Sequence, residues 1–213
     1  MAAHPRPASR APVTTELLKG RLLVATPALG DPNFDHTVVL VLEHADDGAV
    51  GVVLNRPSET ALAEPLPGWH SLAADPPLVF LGGPVSPEAA ICLGRGWSGE
   101  VGEVTGPGHS GDSDERDVAG YEPLFGLLGT VDLSLDPDEM SPALQAIRVF
   151  VGYAGWGEGQ LEEEIEAGAW FVVDAHPDDA LSADPDALWQ TVLRRQGGRM
   201  AMFANFPPNP AMN

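Results

Sequence analysis

Val38-Val39-Leu40-Val41-Leu42 is five apolar residues in a row, with Thr37 before it and Glu43-His44 after it. A strand that is apolar on both faces needs cover on both sides, so these residues predict an inner strand and single it out as the central one of a sheet. Asp46-Asp47-Gly48 follows directly. Asp bonds its own backbone in such a turn and Gly accepts a positive φ, which predicts a hairpin between a strand over residues 37–43 and another over 49–55.

Working outward, residues 21–26 read as a further strand. Residues 78–81 form another, halted by Gly82-Gly83-Pro84, and residues 90–93 are expected to pair with it. Residues 94–122 are glycine-rich with scattered apolar positions and read as a long surface loop. Strand character returns at 127–133, 147–153 and 170–173. Two helices are predicted. In residues 159–167, Leu161 and Ile165 fall on one face with carboxylates around them. Residues 185–196 begin with Pro185, turn Leu188, Val192 and Leu193 inward, and end at Arg194-Arg195 before Gly197-Gly198. There is no internal repeat.

A chain of 213 residues buries roughly 70% of the surface its unfolded form exposes, enough for one sizeable core. The expected division is a flexible arm at 1–14, a single domain at 15–196 and an irregular C-terminal tail at 197–213. Asp and Glu number 31 against 11 Lys and Arg, for a formal charge of −20. Nucleic-acid affinity rests on cations displacing counterions from phosphate, so this charge disfavours direct nucleic-acid binding, and it disfavours anionic lipid equally. The lone cysteine, Cys92, lies in an apolar run; it allows no internal disulfide and reads as a buried, inert thiol. No segment reaches the roughly 20 apolar residues of a membrane span, and no secretory signal precedes residue 14. A cytoplasmic location without membrane contact is expected.

Familiar motifs fail on context. Gly106-Pro107-Gly108-His109-Ser110-Gly111 fits a dinucleotide loop by letter, but no strand leads in, no apolar helix leads out, and Asp112, Asp114, Glu115 and Asp117 would face the pyrophosphate. Asp112-Ser113-Asp114 opens like a calcium loop, yet Asp117 stands where Gly is required and Pro123 where a bidentate Glu is required. His36 and His44 are an even number of residues apart and so project from one strand face, but about 26 Å separates them at ~3.3 Å per residue, too far for one metal. Asp31, Asp35 and His36 form a local polar cluster best read as turn and cap chemistry. Glu158, Glu162 and Glu166 make a carboxylate stripe that reads as a solvated helix face. No metal site and no cofactor is expected, and no catalytic residue is assigned.

Read together, Gly20-Arg21-Leu22-Leu23-Val24-Ala25-Thr26-Pro27-Ala28-Leu29-Gly30-Asp31-Pro32-Asn33-Phe34, then Glu43-His44, then Gly51-Val52-Val53-Leu54-Asn55-Arg56-Pro57 resemble the opening of the YqgE/AlgH family of bacterial proteins. Leu81-Gly82-Gly83-Pro84 is similar to that family's GGP element. Gly152-Tyr153-Ala154-Gly155-Trp156 with Gly159-Gln160-Leu161-Glu162 and Glu164 resembles its later block. The match runs in order from about residue 17 to 173. It implies an α+β fold, one compact domain with a curled, partly barrel-like mixed β-sheet and flanking helices. The family's frequent label, transcriptional regulator of alginate production, describes a phenotype rather than a chemistry.

The expected function is a binding or regulatory protein acting on a protein partner or a small ligand. Its candidate surface comprises Asp31, Phe34, His36, His44, Asn55, Gly82, Gly83, Pro84, Tyr153, Trp156, Gln160 and Glu162. Tyr153, Trp156 and Gln160 are expected to line a pocket or to pack in the core. Gly82-Gly83-Pro84 reads as a tight turn, with an anion nest as the alternative. A carboxylate- or metal-assisted hydrolase is the competing class, using Asp31, His36, His44 or Glu162 as acid, base or metal ligand; it predicts that several of these converge within hydrogen-bond reach in one cleft. A direct DNA-binding regulator ranks third, since it needs a basic face that Arg194, Arg195 and Arg199 hardly supply.

Overall fold

The computed structural model describes residues 18–98, 101 and 118–206. The expected arm at 1–14, the G-x-G-x-x-G look-alike, the acidic part of the 106–122 loop and the last residues of the tail lie outside that set.

The apolar run becomes strand β2 (Val38–Ala45), antiparallel to β1 (Arg21–Ala25) on one side and β3 (Gly48–Val53) on the other. None of residues 38–42 is more than 7% exposed. Both faces are covered, as the run requires. Leu22, Val24, Val38, Leu40, Val52 and Leu54 enter one core, while their neighbours Leu23, Ala25, Val39, Val41 and Val53 enter another. The strand period of two thus feeds two separate cores from the same three strands.

Seven more strands complete a curled, mixed sheet: β4 (Pro57–Ala61), β5 (Leu78–Leu81), β6 (Val85–Gly96), β7 (Tyr121–Phe125), β8 (Leu128–Val131), β9 (Leu144–Gly157) and β10 (Trp170–Asp174). The path runs β10-β1-β2-β3-β9-β6-β8-β7, with β5 parallel to β9 and antiparallel to β4. The hub is therefore β9, not the 38–42 run. Its 14 residues pair with β3 at the C-terminal end, with β6 along most of its length and with β5 in the middle. Gly152, at φ +68°, bends it where those pairings change. An apolar run reports burial, and burial on both faces does not require the middle position.

Two further expectations are corrected. Residues 90–93 pair with β9 and β8 rather than with 78–81, because β9 comes between them: β5 and β6 take opposite edges of the same stretch of β9, at Phe150 and Val151. The tail expected to be irregular from residue 197 instead starts with a helix, α4 (Gly198–Phe203), and Ala204 is buried behind it. The other helices are α1 (Pro137–Met140), α2 (Gln160–Glu166) and α3 (Leu188–Gln196), with a 3-10 turn at Pro67–Leu72. Helix α3 presents Leu188, Trp189, Val192 and Leu193 to the first core, and α2 presents Leu161 to the second. A third core, around Trp69, Met140, Leu144 and Ile147, lies beneath the 3-10 turn and α1.

One irregularity decides where side chains go. Between Val41 and Glu43, β2 carries a one-residue bulge: Val41 faces Gly51 and Glu43 faces Val50. An extra residue flips every later side chain to the other face. Glu43 joins the side of Leu42 and Val50, and His44 joins Ala49 on the α2 side. His36 packs instead over Trp189 of the first core. The two histidines thus lie on opposite faces, against the even-spacing expectation.

Candidate binding surface

The loop at residues 27–36 is held from within and from both sides. Asp31 Oδ1 accepts the Asn33 amide at 2.8 Å and its side-chain amide at 3.0 Å, a local turn. Phe34 stacks at 6.4 Å on Trp156 and meets Trp170 edge-on at 5.5 Å. His36 takes a left-handed φ of +54°. Asn55 holds it there, its buried amide donating to the His36 carbonyl and accepting from the Val38 N–H, both at 2.9 Å. The His36 ring sits 4.3 Å from the Trp189 ring, with Nδ1 2.7 Å from Asp35. Arg56 Nη2 donates to the Asp35 carbonyl at 2.8 Å.

On α2, Glu164 collects three neutral donors. Its Oε2 accepts the indole N–H of Trp156 at 3.0 Å and of Trp170 at 2.8 Å, and its Oε1 accepts from Gln160 at 3.0 Å. Gln160 in turn accepts the Gly157 amide at 3.1 Å. His44, its side chain 1% exposed, places Nε2 2.8 Å from Glu162 and leaves Nδ1 without a partner among the described residues. Tyr153 lies an odd number of residues from Trp156 and packs against the other core, so these two do not share a pocket.

Gly82 works as strand backbone. Its N–H donates to Val151 and its carbonyl accepts from Val53, both at 2.8 Å. That donor is occupied, which removes it from any anion nest. Gly83 runs so close to the backbone of Tyr153 that a Cβ there would overlap it. Beside it, the 27–36 loop and the chain after β3 enclose a groove of about 250 Å³, lined by Pro32, Asn33, Arg56, Leu81, Gly83 and Pro84. Leu81 is 49% exposed at its edge. The loop is therefore the common member: it touches the groove through Pro32 and Asn33, and the α2 cluster through Phe34.

Of Asp31, His36, His44 and Glu162, only His44 and Glu162 meet, at 2.8 Å, where Glu162 of α2 covers His44 of β2. Asp31 closes its own turn and His36 faces α3. Among the described residues no three His, Cys, Asp or Glu side chains are grouped to hold a metal ion. Cys92 is buried, and burial pushes its thiol far above the ordinary range.

Three residues matter here that sequence reading left without a role. Trp170 carries a buried indole N–H that needs an acceptor, a signal visible in its residue type alone. Glu164 supplies that acceptor. Arg148, 2% exposed, donates to the carbonyls of Ser182 (2.9 Å), Ala180 (3.3 Å) and Asp75, with its guanidinium 4.2 Å over the Phe80 ring. Burial lowers it to about 10, opposed by the charge of Asp75.

A curled mixed sheet of ten strands, packed by helices on both faces and carrying a loop-walled groove at one strand end, defines a one-domain α+β protein. The chain belongs to the AlgH-like family, which matches residues 22–201. The UPF0301 protein of Streptomyces coelicolor is 48% identical over 196 residues, covering 92% of this chain and 95% of that one. One from Thermobifida fusca is 45% identical, covering 92% and 96%. Among solved structures, protein DIP2367 from Corynebacterium diphtheriae superposes with a TM-score of 0.78 at 30% identity, over 89% of this chain and 92% of that one. The AlgH protein from Pseudomonas aeruginosa superposes at 0.60 with 27% identity, over 98% and 100%. The shared name of these relatives states no activity. No helix among the described residues is long and apolar enough to cross a membrane.

Proposed function

We propose that this AlgH-like protein is a binding protein, and that it captures a segment of a protein partner in the groove between the 27–36 loop and Gly82-Gly83-Pro84. The observation that carries the reading is the groove itself: three separated stretches of sequence meet there, with a half-exposed leucine and an arginine in its wall. Elsewhere on the candidate surface, His44 Nδ1 apart, the polar groups answer one another. Asn55, Gln160, Glu164 and Gly82 are committed to holding strands and loops in place. Leu81, Pro32 and Pro84 suit an apolar side chain, and Arg56 a neighbouring carboxylate. A regulatory role then runs through the captured partner, since a formal charge of −20 opposes direct contact with DNA phosphates.

A photo-cross-linking residue at Pro84, compared with the same residue at exposed Glu139 on α1, tests this. One partner is expected at Pro84 and not at Glu139, and Leu81→Asp is expected to remove it while leaving the fold intact by circular dichroism. Identical capture at both positions, or capture indifferent to Leu81→Asp, would overturn the proposal.

A further inference from the structure

The inner side of the curl holds a second, larger cavity of about 370 Å³. It is lined from both arms of the sheet, by β2 and β3 on one side and by β6, β7 and β8 on the other, where curled sheets and barrels commonly take small ligands. Leu42, Ile91 and Leu124 supply an apolar floor continuous with the first core. The charged residues of the lining are Lys19, Glu43 and Glu122.

Each of these three is placed by a feature of the fold. Lys19 is the only lysine in the chain. It sits in the turn Leu18-Lys19-Gly20-Arg21, closed by the Arg21 N–H donating to the Leu18 carbonyl at 2.9 Å and tied to β2 by the Gly20 N–H donating to Val41 at 2.9 Å. Glu43 lines the cavity because of the bulge in β2; with regular pairing it would alternate away from Leu42 and point to the α2 side. Glu122 stands opposite Thr130, a further lining residue, in the β7–β8 pair. Among the described residues no ion pair joins Lys19 to either glutamate, although all three border one space. A cation and two exposed carboxylates thus border one apolar floor without pairing to each other.

We propose that this cavity binds a small apolar zwitterion, a free α-amino acid with a branched or aromatic side chain. Its carboxylate meets Lys19, its ammonium group meets Glu43 and Glu122, and its side chain rests on Leu42, Ile91 and Leu124. An apolar acid without an amine would bring a second anion toward two glutamates in a chain of formal charge −20. An apolar amine without a carboxylate would leave Lys19 unanswered. The volume lies near the lower end of ligand pockets, roughly 300–1,000 Å³, which suits a molecule of this size. The site is separate from the groove proposed for a protein partner and stands or falls independently of it.

The single lysine makes the test direct. Reductive methylation of the full chain with carbon-13 reagent places one side-chain signal at Lys19, readable by NMR. L-phenylalanine is expected to shift that signal saturably. Phenethylamine and 3-phenylpropionate, each lacking one charge, are expected to bind at least about tenfold more weakly, a loss typical of one charge-assisted contact. By calorimetry on unlabelled protein, Lys19→Met should erase the preference for phenylalanine over phenethylamine. The double variant Glu43→Gln, Glu122→Gln should erase its preference over 3-phenylpropionate. Glycine, with no side chain to cover the floor, should not bind measurably, and N-acetyl-phenylalanine amide should bind no better than either truncated compound. Absence of saturable phenylalanine binding up to its solubility limit, preferences that survive these substitutions, or glycine binding as well as phenylalanine would overturn the proposal.

Discussion

Glu164 and Arg148 both tie neighbouring elements together, but in opposite ways and over different spans of chain: Glu164 reaches partners within eight residues, Arg148 partners more than 30 residues away. Glu164 belongs to a two-turn helix, is partly open to water, and takes hydrogen bonds from two indoles and an amide. Arg148 is sealed inside β9 and gives hydrogen bonds to backbone carbonyls from two loops, with Nε left unpartnered. A carboxylate held by side chains can be imitated by another acceptor. A guanidinium that answers several carbonyls at once has no substitute of the same reach. The α2 face should therefore tolerate change that the Arg148 cage does not.

The sharpest way to break this contrast is Arg148→Met, which leaves the carbonyls of Asp75, Ala180 and Ser182 facing a thioether. A loss of about 3–5 kcal/mol in unfolding free energy is expected from urea titration, since each orphaned buried acceptor costs about 1–3 kcal/mol. A loss below about 1 kcal/mol would mean that water already reaches those carbonyls. The pH dependence sharpens the same point. Burial lowers the folded value of this base to about 10, so folding disfavours its charged form. That penalty is constant while both folded and unfolded states are charged, and eases only as pH rises past about 10 toward the unfolded value. From pH 6 to 9 the stability difference between parent and Arg148→Met should therefore stay flat; a slope in that window would tie the cage to some other titrating group.

Glu164→Leu comes next, with an expected loss of about 2–4 kcal/mol as the Trp156 and Trp170 indoles lose their shared acceptor. Glu164→Gln keeps an acceptor oxygen and should lose only about 1 kcal/mol. Tryptophan fluorescence during unfolding reports both. Equal losses for the two variants would show that charge, rather than acceptance, holds the indoles. The smallest effect belongs to Glu162→Gln. Its side chain is 32% exposed, so the bond to His44 is expected to contribute less than about 1 kcal/mol. A larger thermal shift would place that pair among the buried ties instead.

Strands β1 to β3 and their hairpin were legible in the sequence because unbroken apolar runs and an Asp-Asp-Gly turn signal both burial and reversal. The full extent of β9 was not. Gly152, Gly155 and Gly157 interrupt its pattern, and at Gly152 the Gly83 carbonyl passes so close that a Cβ would overlap it. β7 was hidden by Pro123, and α4 by the glycine pair that starts it. The candidate surface was legible as a set of blocks, and the loop around Phe34 does join the Gly83 groove to the α2 cluster. Its division between two faces was not, because a one-residue bulge at Leu42 leaves no mark in composition or period. Arg148 carries no local signal at all: its acceptors lie more than 30 residues away in both directions.

The hub position of β9 also sets an order of events during synthesis. Ala49 pairs with Trp156, and Leu93 with Arg148, so the first 143 residues emerge from the ribosome with the edges of β3 and β6 both open and no strand to join them. Long-range pairing of this kind is slow to form, and unpaired edges invite other chains. A nascent chain halted just before Leu144 should be protease-sensitive and prone to associate with holdase chaperones, whereas one extended past Gly157 should resist digestion abruptly, as a single segment closes both edges at once.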